Sequence, residues 1–160
     1  MNPIQNPRDA LAKIGHQLPE PAAAVASYVP AARHGGVIYV SGQLPLVKGE
    51  LTASGPVPTE TDLETAQKAA ATCILNALAA ADGLLQGDWS SVKSALRVAV
   101  FVNSDPSFNQ HHLIANGASD LLVEAFGDAG KHARAAVGVP GLPLGAAVEV
   151  ELWLAEASRT

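Results

Sequence analysis

Near its C-terminus the chain alternates apolar and polar residues in a way that only a strand with one buried face accommodates well. In Ala147–Glu156 the even positions are Val148, Val150, Leu152 and Leu154, while the odd ones begin with Glu149 and Glu151. Period two places the aliphatic set on one face and the carboxylates on the other. A second strand-like segment precedes it, across the Gly/Pro-rich run Gly138–Gly145. There Arg134 shares its face with Ala136 and Gly138, small neighbours that leave space around a planar fork of donors suited to a carboxylate. The connection is expected to bring the two strands together. Arg134 and Glu149 then form either an ordinary cross-strand ion pair, worth little if exposed, or parts of a binding site.

The stretch HARAAVGVPGLPLGAAVEVE (132–151) resembles the C-terminal signature of the RidA (YjgF) family of reactive-intermediate imine/enamine deaminases. That signature has Ala-Arg opening a strand, Leu-Pro in the connection and a Val-Glu-Val-Glu strand. Tyr28 and the run Val37–Pro45 (VIYVSGQLP) resemble the family's N-terminal pair, a tyrosine followed thirteen residues later (41 − 28) by the serine of Ser-Gly-Gln. The likeness covers roughly residues 25–156.

The resemblance implies an α/β (α+β) chorismate-mutase-like fold, with a mixed sheet and two helices on one face. It also implies a homotrimer with sites in the clefts between subunits. The implied reaction is hydrolysis of a 2-imino acid, or its enamine tautomer, to a 2-keto acid and ammonia. Arg134 would hold the substrate carboxylate and Glu149 would orient water and take its proton. Tyr28 would supply a phenol and an aromatic wall, with Ser41 and Gly42 closing the pocket. No metal or organic cofactor is required. The position two after the arginine, often Cys or Thr in active relatives, is Ala136, which leaves that wall bare. The second helix is a few residues longer than the family pattern, so the family's helix asparagine is transferred to neither Asn109 nor Asn116. Two other functions stay open: a non-catalytic binder of a small carboxylate, and an endoribonuclease or translation inhibitor.

With 160 residues, the chain suits a single domain, residues 25–157, behind an N-terminal extension of residues 1–24. It is 48% hydrophobic and 16% charged, against about 25% charged in a typical soluble domain, which suggests either apolar surface covered by another subunit or a large, alanine-rich core. A net charge of −5 and no run of Lys or Arg argue against nucleic acid as a partner. The lone Cys73 precludes an internal disulfide and favours a reducing compartment. The N-terminus lacks a signal-peptide core, and no membrane segment is evident. Together these suit a cytoplasmic protein.

Along the chain, Arg8–Ile14 reads as a short helix and Leu18–Ala24 as a Pro/Ala linker. Tyr28–Arg33 and Val37–Ser41 read as strands joined by a His34-Gly35-Gly36 turn. Leu44–Val47 and Leu51–Ala53 flank Lys48-Gly49 as a small hairpin or surface loop. A helix is predicted over Asp62–Asp82, with Thr61 and Glu64 as a capping box and Gly83 just beyond its end. Val92–Val102 is predicted as a long strand, with Val92, Leu96, Val98, Val100 and Val102 on one face. Asp105-Pro106 then signals a second helix, running to about Phe126 with Asn116-Gly117 as the place for a break or bend.

Other chemistry is weakly signalled. His111 and His112 are adjacent and have no partner at i+3 or i+4 for a metal. His132 reads as an exposed histidine at a strand end, the alternative being a place near Arg134 on the same strand face. The prolines of 138–145 remove amides that a phosphate cradle needs, and Ser41 has no nearby histidine or carboxylate at motif spacing.

Overall fold

The computed structural model describes residues 4–21 and 27–157. Its elements in chain order are α1 (Pro7–Lys13), β1 (Ala31–His34), β2 (Val37–Gln43), β3 (Leu46–Val47), β4 (Glu50–Leu51), α2 (Leu63–Leu85), β5 (Val92–Asn103), α3 (His111–Phe126), β6 (Ala133–Val139) and β7 (Val148–Glu156). Among the described residues five strands form one mixed sheet in the order β1-β2-β7-β5-β6, with only the β5–β6 pair parallel. Both long helices pack on one face, over Ile38, Val40, Val98, Val100, Val148, Val150, Leu152 and Leu154, all buried. This is the α+β architecture expected, with the alternation of β7 setting which face is covered.

Two hairpins have turns with both central residues at positive φ: Gly35 (58°) with Gly36 (78°), and Lys48 (53°) with Gly49 (86°). Such turns match the strand twist. The first strand begins at Ala31, so Tyr28 lies ahead of it. The linker reading of Leu18–Ala24 falls partly on residues 22–26, outside those described.

The helix α2 starts one residue later than its capping signal suggested. Asp62 is the cap, its Oδ1 accepting from the Thr65 backbone N–H at 2.8 Å. Thr61 instead donates to the Ser54 carbonyl, and Glu64 pairs with Lys68. The helix passes through Gly83 and ends at Gln86, which adopts the left-handed conformation. By length and composition α2 could cross a membrane, but 61% of its most apolar window is buried inside the protein. It is a core helix, packed on the sheet and against α3.

On β5 the register shifts between Val92 and Ser94 and again between Ala95 and Arg97. Leu96 is therefore turned out, 42% exposed, and Ala95 is buried in its place. Helix α3 begins at His111 rather than after Asp105-Pro106. The Asp105 amide is engaged by the Val57 carbonyl and its carboxylate by the Thr59 hydroxyl, so this segment stays a turn. No break occurs at Asn116-Gly117, where α3 crosses α2. A Cβ at Gly117 would lie 1.9 Å from the Gln67 carbonyl oxygen.

The N-terminal extension belongs to the same core. Ile4 and Leu11 are buried within it, and Arg8 pairs with the buried Asp82 at 2.8 Å. Asp82 also accepts from Trp89 Nε1 at 2.8 Å.

Candidate functional site

The strands carrying Arg134 and Glu149 are not neighbours, because β5 lies between β6 and β7. Arg134 registers with Val98, a residue of the helix-covered face, whereas Glu149 registers with Phe101 on the open face. The expectation that the Gly/Pro connection joins these strands is therefore corrected. A parallel β5–β6 pair inserts the long strand between them, about 10 Å across. The two side chains lie on opposite faces, so the cross-strand ion pair cannot form within one chain.

At the β6 edge, Arg134 turns towards α3. Its Nη1 donates to Asn116 Oδ1 at 3.0 Å and to Ser119 Oγ at 3.1 Å, and its Nη2 donates to the His112 carbonyl at 3.3 Å. Asn116, not Asn109, thus meets the arginine. Three of the five guanidinium N–H donors are occupied. Among the described residues no carboxylate lies within ion-pair distance of Arg134. The remaining donors, Nε–H and one Nη2 hydrogen, have no partner among the described residues on a side chain exposed at the sheet edge, which suits a two-point grip on a carboxylate. Ala136, half-buried, and Gly138 continue the same strand face. A Cβ at Gly138 would lie 2.6 Å from His111 Nε2 and 2.7 Å from Ser104 Oγ, two atoms that hydrogen-bond each other at 3.0 Å. The small residues beside Arg134 therefore admit α3 as well as leaving room.

The second group gathers at the other side of the sheet. Between Val40 and Gln43 the β2–β7 register is broken by a bulge containing Ser41 and Gly42. Ser41 Oγ donates to the Val29 carbonyl at 2.7 Å, and its amide donates to the Pro30 carbonyl at 2.9 Å. This ties the bulge to the segment carrying Tyr28, which is 52% exposed. Glu149 lies directly over Gly42, where a Cβ would be 1.9 Å from its Oε1. Burial raises the Glu149 carboxyl pKa from its ordinary value, and the nearby Glu151 charge raises it further. A carboxylate so placed is a better proton acceptor near neutral pH than an exposed one.

Gly42→Ala should therefore strike the carboxylate rather than the fold. The clash is with a flexible side-chain end, so Glu149 swings away and the bulge survives. Circular dichroism should show an unchanged spectrum and melting within a few degrees of wild type, while any activity depending on Glu149 falls at least ~10-fold.

Ser41, Gly42 and Glu149 are thus brought together, with Tyr28 on the segment tied to them, and Arg134 and Ala136 together, but the two groups stand apart in one chain. Sequence reasoning missed Asn116 and Ser119 as arginine partners. Their spacing with His112 (i, i+4, i+7) was a readable polar stripe along a helix that is otherwise largely apolar. His132 was also misjudged: it is half-buried, with Nε2 at 2.9 Å from Ser119 Oγ and Nδ1 at 2.7 Å from the Gly130 carbonyl.

The chain is 42% identical over 142 residues to protein TCP17 of Trypanosoma cruzi, covering 88% of each. Among solved structures, a protein of unknown function from Agrobacterium tumefaciens is 38% identical with a TM-score of 0.87, over 96% of this chain and 94% of that one. A Shewanella oneidensis protein described as a "putative endoribonuclease" is 32% identical with a TM-score of 0.88, over 94% of this chain and 99% of that one. The profile described as "YjgF/chorismate mutase-like, putative endoribonuclease" matches residues 8–156, which takes in the α1 helix of the extension. Fold, motif spacing and these likenesses agree: the chain belongs to the YjgF/chorismate mutase-like family.

Proposed function

We propose that the protein hydrolyses 2-imino acids, or their enamine tautomers, to 2-keto acids and ammonia at sites assembled between chains. The observation that carries this reading is Arg134, oriented by three hydrogen bonds it donates to α3 yet without an acidic partner among the described residues. A fixed guanidinium with donors to spare is what a small carboxylate substrate needs. Within a homotrimer, Arg134, Asn116 and Ala136 of one chain would meet Tyr28, Ser41, Gly42 and Glu149 of its neighbour. The open sheet face carries the partly exposed Tyr39 and Val137 beside Phe101 and Trp153, which supports such an assembly.

In this reading Arg134 holds the carboxylate, and Glu149 takes a proton from water as the water oxygen bonds to the imine carbon; the C=N π pair moves to nitrogen, which receives that proton. Glu149 then takes the carbinolamine hydroxyl proton and passes it to nitrogen, so the C–N bond breaks, ammonia leaves and the carbonyl forms. Ala136 adds no acid or base, so the pocket wall there limits substrate shape rather than chemistry. Positioning supplies most of the acceleration, because an imine is already electrophilic. The endoribonuclease of the family description is less well supported by a chain of net charge −5 with no basic run.

The test is to generate 2-iminobutyrate enzymatically and follow its loss together with ammonia release. Wild type should accelerate both well above buffer, and Glu149→Gln should fall at least ~100-fold, the usual scale for losing a general base. Binding of 2-ketobutyrate with no acceleration of imine loss would leave a carboxylate-binding protein instead.

A further inference from the structure

We propose that His132, acting through Ser119, is a positioning residue that sets the guanidinium of Arg134 before substrate arrives. This rests on Arg134 being the carboxylate holder. The direction of each hydrogen bond follows from chemistry. The Gly130 carbonyl can only accept, so at 2.7 Å His132 Nδ1 must carry a proton. In the neutral ring Nε2 is then an acceptor, and Ser119 Oγ at 2.9 Å donates to it. With its proton committed, Ser119 presents lone pairs to Arg134 Nη1 at 3.1 Å. The chain of donors runs from Arg134 to Ser119 to His132 to Gly130.

The neutral state is supported by the surroundings. Burial lowers the His132 pKa below the ordinary histidine value, the Gly130 bond opposes this, and the Arg134 charge lowers it again. Other charges nearby do not replace that influence. Lys131 on the same segment pairs with Asp128 of the preceding turn at 2.7 Å. Helix α3 brings His112, Asp120 and Glu124, and β5 brings Arg97, which lies over Trp153 on the opposite face.

An arginine on an exposed edge strand is otherwise free to sample many rotamers, and ordering it on binding costs affinity. Asn116 takes one Nη1 hydrogen, and Ser119 takes the other only while His132 holds its hydroxyl proton. When His132 gains a proton, Nε2 becomes a donor, the Ser119 proton must turn elsewhere, and a second cation stands beside Arg134. The relay therefore works above the His132 pKa and is lost below it.

The experiment uses the full-length assembled protein. Nitrogen-15 NMR should report the Nδ1–H tautomer for His132 and distinct, slowly rotating Nη signals for Arg134. Ser119→Ala and His132→Ala should merge or broaden those Arg134 signals, and Ser119→Thr should restore them. With iminobutyrate, Ser119→Ala should raise KM about 5- to 10-fold, the scale of one hydrogen bond, with kcat changed less. The wild-type rise in KM on acidification below the ordinary histidine range should be flattened in that variant. An Nε2–H tautomer, or Arg134 signals indifferent to both alanine substitutions, would overturn the relay. If the signals respond as expected but wild type does not consume the imine, the relay stands and the assigned reaction falls.

Discussion

Arg134→Lys is expected to lower kcat/KM for 2-iminobutyrate by roughly 30-fold or more, while leaving assembly and melting nearly unchanged. Lysine keeps the charge but loses the planar fork, so it cannot answer Asn116 and Ser119 on one side and a carboxylate on the other. Losing a charge-assisted, partly buried pair costs on the order of 2–5 kcal/mol, and each 1.36 kcal/mol is about tenfold in rate. A carboxylate held at one point also leaves the imine carbon displaced from the water, so kcat falls along with affinity. Stability is spared because Arg134 is exposed and its partners on α3 are not in the core. Equal rates in the two proteins would remove the assigned role.

The largest effect on folding is expected at Gly117, far from that chemistry. Helix propensity alone says that alanine in place of a mid-helix glycine stabilises by about 1 kcal/mol. The α2–α3 crossing reverses the sign. The new Cβ would lie 1.9 Å from the Gln67 carbonyl oxygen and 2.8 Å from its carbon. Both are backbone atoms, and neither can rotate aside. Gly117→Ala must push two core helices apart, at a net cost of at least about 2 kcal/mol. For a chain of this length that lowers Tm by roughly 4–8 °C. Thermal unfolding at matched protomer concentration measures it, and a rise in Tm would mean that the crossing is looser than described.

What could be read from the sequence divides along local and long-range lines. The β7 alternation, the paired-glycine turn and the presence of α2 are local patterns, and each is found. The parallel β5–β6 pairing is not local. Nothing in the Gly138–Gly145 run indicates that another strand will enter between its two ends, so the direct pairing of those two strands within one chain failed on topology. Leu96 was assigned inward because period two was extended through a bulge that sequence does not announce. Asp105-Pro106 satisfied the start rule for a helix, but contacts from Val57 and Thr59 claimed the aspartate first. At the site, motif spacing picked out residues of both groups. Their division into two groups was not, since it depends on which sheet face each strand presents.

That division gives the most direct test of the account. Arg134→Lys and Glu149→Gln each disable one group, and the proposal draws the two groups of every site from different chains. Unfolding the two variants together and refolding the mixture should yield assemblies in which some sites combine a native Arg134 with a native Glu149. Iminobutyrate turnover should then rise well above that of either variant refolded alone, towards a sizeable fraction of refolded wild type. A mixture no more active than its separate components would contradict sites shared between chains.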